Sequence, residues 1–372
     1  MTKYELEALL LEKPIELAHT IAIRSALRAF PAAGVAARKN NDGEKLVLAT
    51  LRALLSAVGV SRFSDDKNIS EAAKRASTAP LLLTKLFSAS ARSAFSAATS
   101  AAKSIFPSEA YYISAVLSSA ESAYSTKFSI ESVMVAQSFK DMERLEHLPN
   151  DRHFDVGLWK TSDFPRVMVS KWDEFGTLAS KNNSMWSFWR EWYQGFLDGK
   201  PMDWELQRRV ALIEDDIWKA GPEAVAEEIE RIRDKFTLEQ EIAALKDKLA
   251  KTVEGFDAPH RGHNQPPELI DDARVMQREF TLIWNDLQDL ESEVQKDEPS
   301  PKAIRKYALR LWEISQTILK HCGSVGDATI KAAAKTIGAA LGTALATEAI
   351  APGTVQSVAK MALDYAMKLG AG

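Results

Sequence analysis

Two histidines three residues apart, His260 and His263, are the closest this chain comes to a metal-ligand set. A pair of imidazoles can hold a cation, but a structural site takes four ligands and a catalytic one three. Only Asp257 or Glu268 stands nearby in sequence to add another. The surrounding Gly- and Pro-rich stretch reads better as a linker. Three consecutive acids, Glu214-Asp215-Asp216, could serve general acid–base chemistry. Placed just before Ile217-Trp218, they read better as a helix N-terminus, where carboxylates favour the macrodipole. Cys322 is the one thiol, so no intramolecular disulfide can form. Its place in an apolar helical stripe before Gly323 makes it a core or helix-end residue. His147, His153 and Glu191 complete the candidates for a catalytic group.

None of these is supported by a motif. The chain has no GxxxxGK[ST] or GxGxxG phosphate loop, no HExxH or CxxC, and no GxSxG elbow. The expectation is therefore a chain without catalytic residues, cofactor or metal. An enzyme with an unrecognised all-α site is the last alternative.

The elements that would position any such group are helices. Over 372 residues, 46% of them apolar, a sizeable core is available, and two or three domains are expected. Leu46, Val47, Leu51, Leu54, Leu55 and Val58 follow the spacing of one helix face. Asn40-Asn41-Asp42-Gly43 supplies a turn before them. An earlier helix, carrying Leu17, Ile21, Ile23, Leu27 and Phe30, should start at Pro14 and end at Pro31. Residues 76–104 are rich in Ala and Ser and predict helix with a break near Pro80. Ser108–Tyr124 and Ser129–His147 predict two more.

Between 159 and 218 the chain holds seven of its nine tryptophans. Trp186, Trp189 and Tyr193 share one side of a helix, and Phe188, Trp192 and Phe196 the adjacent side, which predicts a helix buried between layers. Asp198-Gly199-Lys200-Pro201 ends it. Val225, Ile229, Ile232 and Phe236 are spaced 4, 3, 4. Thr237 and Gln240 fit a capping box that would restart the helix. Leu238, Ile242, Leu245 and Leu249 then repeat the spacing, giving a coiled-coil-like seam. Ser300-Pro301 starts another helix. Towards the C-terminus Ala334, Gly338, Gly342 and Ala346 form a small-residue ridge suited to close helix contact.

These signals predict an all-α fold, a multi-helix bundle with a Trp-rich central block and a C-terminal helical extension. The expected divisions are an Ala/Ser-rich helical domain over 1–148, the Trp-rich block with its coiled-coil-like helices over 149–251, a linker over 252–267, and a helical region over 268–372. The last ends in an Ala/Gly-rich hairpin, 327–372.

Charge narrows the partners. The net charge is −4, without the basic excess or stripe of nucleic-acid binders. Residues 1–150 hold 18 Lys+Arg against 15 Asp+Glu, and residues 201–300 hold 13 against 25. That acidic block reads as a solvated helix face, or as a surface for a basic partner. The start, Met1-Thr2-Lys3-Tyr4-Glu5, lacks the basic and apolar regions of a secretory signal. No stretch has about 18 uninterrupted apolar residues, as an ordinary transmembrane helix would. Cytoplasmic location is the default expectation.

Phe188-Trp189-Arg190-Glu191-Trp192-Tyr193, then Leu197-Asp198-Gly199-Lys200-Pro201 and Trp204-Glu205-Leu206, resembles a motif of uncharacterised bacterial all-helical proteins. Gly262-His263-Asn264-Gln265-Pro266-Pro267-Glu268 resembles the GHNxPPE linker of the same family. The resemblance covers about residues 150–270 and implies architecture, with no activity to transfer.

The functional expectation is a non-enzymatic protein that oligomerises or binds a protein partner through helices. Its candidate contacts are Leu238, Ile242, Leu245 and Leu249, Ala334, Gly338, Gly342 and Ala346, and Trp189 and Trp192. The alternative is a membrane-acting effector of the kind defence or toxin systems use, with the C-terminal hairpin inserting on triggering. Each arm is short for a 30 Å hydrocarbon core, so the membrane reading is the less favoured.

Overall fold

The computed structural model describes residues 3–38, 41–78, 88–103, 114–115, 118, 129–160, 163–181, 185–256, 267–324 and 352–370. Among these residues the fold is all-α, with fourteen α-helices and no strand. Two compact units are present, Met1–Glu230 and Arg231–Gly372.

The first unit is built around α2 (Ile15–Gly34), which packs on α3 (Asn41–Arg62), α5 (Ala89–Lys103), α6 (Ser129–Leu145) and α7 (Arg166–Lys181). From Leu17 onward every residue of α2 is buried except half-buried His19. A helix covered all round must satisfy its polar side chains inside the protein, and α2 carries Arg24 and Arg28. The remaining helices of this unit are α1 (Lys3–Glu12), α4 (Lys67–Ser77), α8 (Ser187–Asp198), α9 (Trp204–Ala211) and α10 (Asp215–Ala220). Helix α4 is capped by Asp66, whose side chain accepts from the Asn68 and Ile69 amides and pairs with Arg208 at 2.7 Å. Helix α9 is capped the same way by Asp203.

The second unit contains most of α11 (Pro222–Phe256), with α12 (Pro267–Val294), α13 (Pro301–Ser324) and α14 (Pro352–Gly370). Helix α13 packs on both α12 and α14. The core joins Leu238, Ile242, Leu245 and Leu249 to Phe280, Ile283, Leu287 and Leu290, and further to Ile304, Leu311, Val358 and Tyr365. Ser300 caps α13, its hydroxyl accepting from the Ala303 amide at 3.4 Å.

Three local expectations are corrected. Helix α2 runs through Pro31 to Gly34. The proline forfeits a hydrogen bond to the Leu27 carbonyl, but residues 27–34 are buried, and their packing holds the helix on. Asn41, Asp42 and Gly43 form the first turn of α3 rather than a preceding turn, where an acid favours the macrodipole. Helix α11 is unbroken at Thr237. Its apolar stripe steps from Phe236 to Leu238, a rotation of about 200°, so the face changes while the backbone continues.

The expected division at 148 falls inside the first unit, where Arg24 and Arg28 of α2 hold backbone carbonyls at 153 and 156–158. Residues 252–256 belong to α11, and the rest of the expected linker up to 266 lies outside the described residues.

Candidate functional site

The strongest concentration of buried polar chemistry lies where α2, α6 and the irregular segment 146–160 meet. Arg24 and Arg28 stand one turn apart on α2, so both point to one side. Asp141 comes from α6. All three side chains are at most 5% exposed.

Arg24 forms a two-point pair with Asp141, Nε to Oδ2 at 2.8 Å and Nη2 to Oδ1 at 3.3 Å. Its remaining N–H groups donate to the carbonyls of His153 (3.1 Å), Val156 (2.7 Å) and Gly157 (3.0 Å). Arg28 donates to the same Asp141 Oδ2 at 2.7 Å, and to the Leu158 carbonyl through Nε (2.8 Å) and Nη2 (2.7 Å). Residues 153–158 have no helix or sheet to pair their backbone, so the two guanidiniums supply donors that secondary structure would otherwise give. Burial pushes the Asp141 carboxyl up, but Arg28 and Arg24 outweigh it and hold it below the usual range.

The imidazole of His153 belongs to this framework. The Leu148 carbonyl, 3.1 Å from Nε2, can only accept, so Nε2 carries the proton. Nδ1 faces the Thr20 hydroxyl at 3.3 Å. Both ring nitrogens are thus used to position the chain, and the residue is 2% exposed. His147 and Glu191, the other acid–base candidates, are exposed.

Segment 155–157 is pressed against the turn after α8. Gly199 ends that helix with φ +67°, a left-handed conformation that favours glycine. A Cβ there would lie 2.6 Å from the Gly157 amide nitrogen and 2.7 Å from the Asp155 carbonyl. The Leu158 amide donates to the Phe196 carbonyl at 3.1 Å.

Over this backbone lies the aromatic block. Tyr193 packs on Phe30 (5.1 Å between centroids) and Trp172 (4.6 Å), and Trp189 meets Trp192 edge-on at 5.9 Å. Trp189 and Trp192 are 1% and 0% exposed. The indoles of Trp172, Trp192 and Trp218 donate to Gln194, Gln207 and the Ile213 carbonyl. Arg28 lies over the Trp159 ring at 5.3 Å. Three buried atoms around it have no hydrogen-bond partner: Arg28 Nη1, Trp159 Nε1 and Tyr193 Oη.

The protein-family models, the curated proteins and the solved structures give no match to this chain. Its chemistry rests on its own geometry.

The residues singled out by sequence lie as follows. Leu238, Ile242, Leu245 and Leu249 are at most 1% exposed, inside the core of the second unit. A partner would reach them, or Trp189 and Trp192, only by displacing the chain's own helices. Ala334, Gly338, Gly342 and Ala346 lie outside the described residues, as does the hairpin they belong to up to residue 351. His260 and His263 lie outside as well, and among the described residues no three His, Cys, Asp or Glu side chains form a group that could hold a metal ion. Asp215 opens α10 and pairs with Arg52 and with Arg75 (3.3 Å), while Arg52 lies over the Trp218 ring at 5.0 Å. Among the described residues no helix is long and apolar enough to cross a membrane.

Sequence reasoning passed over Arg24, Arg28 and Asp141. The available signal was two arginines four apart inside a run otherwise made largely of Leu, Ile, Ala and Phe.

Proposed function

We propose that this chain is a non-enzymatic helical interaction protein, and that its C-terminal unit associates with a second copy of the chain. One observation carries the reading. Leu309 and Trp312, three apart on α13, are 43% and 38% exposed; among the described residues of this unit the other exposed large apolar side chain is Met367. Tryptophan is prominent among residues that anchor protein interfaces, because it covers a large area at low entropic cost.

Charge supports a self-complementary contact. Around the pair α13 presents exposed Lys302, Arg305 and Lys306, and Arg310 paired with Asp286, against one exposed acid, Glu313, while α11 presents exposed Glu241 and Asp247 with Lys248 beside them. A basic-rimmed apolar pair on one copy suits an acidic helix face on another. The seam on α11 serves the unit's own core, so association would use the outer faces of these helices.

Light scattering on the full chain across a concentration series tests this. The wild type should form a defined oligomer. The Leu309→Ala/Trp312→Ala variant should be a monomer with unchanged helical content. A wild-type chain that stays monomeric throughout would remove the proposal, as would an oligomer that the double variant leaves intact.

A further inference from the structure

Helix α13 has a second stripe besides its core face. Ile304, Ala308, Leu311, Ser315 and Ile318 are buried. Away from them, Lys302, Arg305, Leu309 and Trp312 are exposed and Gln316 is half-buried, at steps of 3, 4, 3 and 4 residues. That spacing lines the five up on one side of a helix, as in the seam of a coiled coil. The two apolar side chains stand in the middle of the stripe. Lys306 and Glu313 are exposed on one flank of it, seven residues apart. The rise between them is about 10 Å, too far for a direct pair. Lys306 touches the Tyr307 ring beside it at 5.7 Å, and neither it nor Glu313 forms an ion pair among the described residues.

We propose that α13 pairs antiparallel with α13 of a second copy, about a two-fold axis passing between Leu309 and Trp312. This rests on reading that pair as a self-association site, and it names the surface of the second copy that meets it. In this register Leu309 of each copy covers Trp312 of the other. Lys306 of each stands beside Glu313 of the other, so the one attraction is made twice. A parallel pairing would put the two flanks on opposite sides and leave Lys306 and Glu313 unmatched. The acids of α11 would attract the basic rim at longer range, but among the described residues α11 exposes no large apolar side chain to cover the pair. The same patch serves both copies, so the assembly closes as a dimer. A single helix pair is smaller than a standard interface, and the dimer is a weak one.

The test is sedimentation of the full chain at low salt, from about 1 micromolar to 1 millimolar. Lys306→Glu and Glu313→Lys each set like charges together at both flanking contacts, and each should weaken the dimer about tenfold. An equimolar mixture of the two variants restores opposite charges at both contacts, and should dimerise within about twofold of wild type. A wild type that is monomeric throughout overturns the self-association reading and this inference with it. A wild-type dimer that both variants leave intact overturns the antiparallel register alone, as does a mixture no tighter than either variant by itself. Contact with the α11 face would give that last result. Should Lys306→Glu not fold, Lys306→Ala takes its place. Mixed with Glu313→Lys it keeps one attraction and removes both repulsions, so the mixture should be tighter than either variant alone. No gain on mixing overturns the register.

Discussion

Arg24 and Asp141, 117 positions apart in sequence, meet through two hydrogen bonds of 2.8 and 3.3 Å between side chains that are 1% and 5% exposed. The same carboxylate also accepts from Arg28. One acid thus holds two buried cations, which in turn hold the carbonyls of an otherwise unpaired segment.

Asp141→Asn should therefore cost about 3–5 kcal/mol, the usual penalty for removing one member of a buried ionic group. The sign with pH follows from the carboxyl's depressed pKa. Its stabilisation is complete above the ordinary carboxyl value of 3.8 and is lost as pH falls through the lower folded value. Urea denaturation of wild type and variant should show a constant gap at neutral pH that narrows below about pH 4. A gap independent of pH down to complete acid unfolding would contradict the ionic account.

Tyr193 should show the opposite pH dependence. Its folded pKa lies above the ordinary value of 10.0, so its contribution is full below pH 10 and is lost as pH rises beyond that. In a spectrophotometric titration, at least one of the seven tyrosines should ionise only as the protein unfolds in alkali. Tyr193→Phe should remove one such late-ionising group.

Two glycines should respond in opposite directions. Gly199→Ala forces a side chain into a left-handed backbone and against the segment at 155–157, and should cost about 2 kcal/mol or more. Gly353, in the first turn of α14, has open space on the side where a methyl group would stand, with nothing within 4 Å. Gly353→Ala should stabilise by about 0.5–1 kcal/mol. Urea midpoints of the two variants check both signs.

Trp312→Ala should cost about 1–2 kcal/mol, because part of the ring is already in water and only the covered part is lost. Trp192→Ala should cost about 3–5 kcal/mol, since that ring is fully enclosed and its N–H is paired with Gln207 at 2.8 Å. Denaturation midpoints for the pair separate a surface anchor from a core tryptophan.

What could be read from the chain was what is local. Phe188 to Phe196 declare their faces by spacing, and burial follows it, whereas Leu46 to Val58 declare one face on a helix that is buried all round from Ala53 to Val60. Ser300-Pro301 marks a helix start with its own side chain. Other features depend on distant partners. Pro31 looks like a helix end until the packing around α2 is known. Thr237 looks like a restart, because a stripe that changes face resembles two helices. Two arginines in an apolar run mark a need for acceptors, but nothing local says that Asp141 is the one that meets Arg24. Leu238 to Leu249 show a seam in sequence, but spacing cannot say whether the facing helix belongs to the same chain. In this structure the facing residues include Ile283 and Leu287.

The clamp on segment 153–158 also sets a waiting time during synthesis. At about 5–20 residues per second, Asp141 leaves the ribosome's catalytic centre about 6–23 s after Arg24. For that interval α2 is a strongly apolar segment with two arginines that have no native acceptors. It cannot take its central place until chain far downstream has arrived. The newborn N-terminal portion is thus a natural client for a chaperone that holds apolar helices, and a synonymous change that slows translation between codons 24 and 158 would lengthen its exposure without altering a single residue.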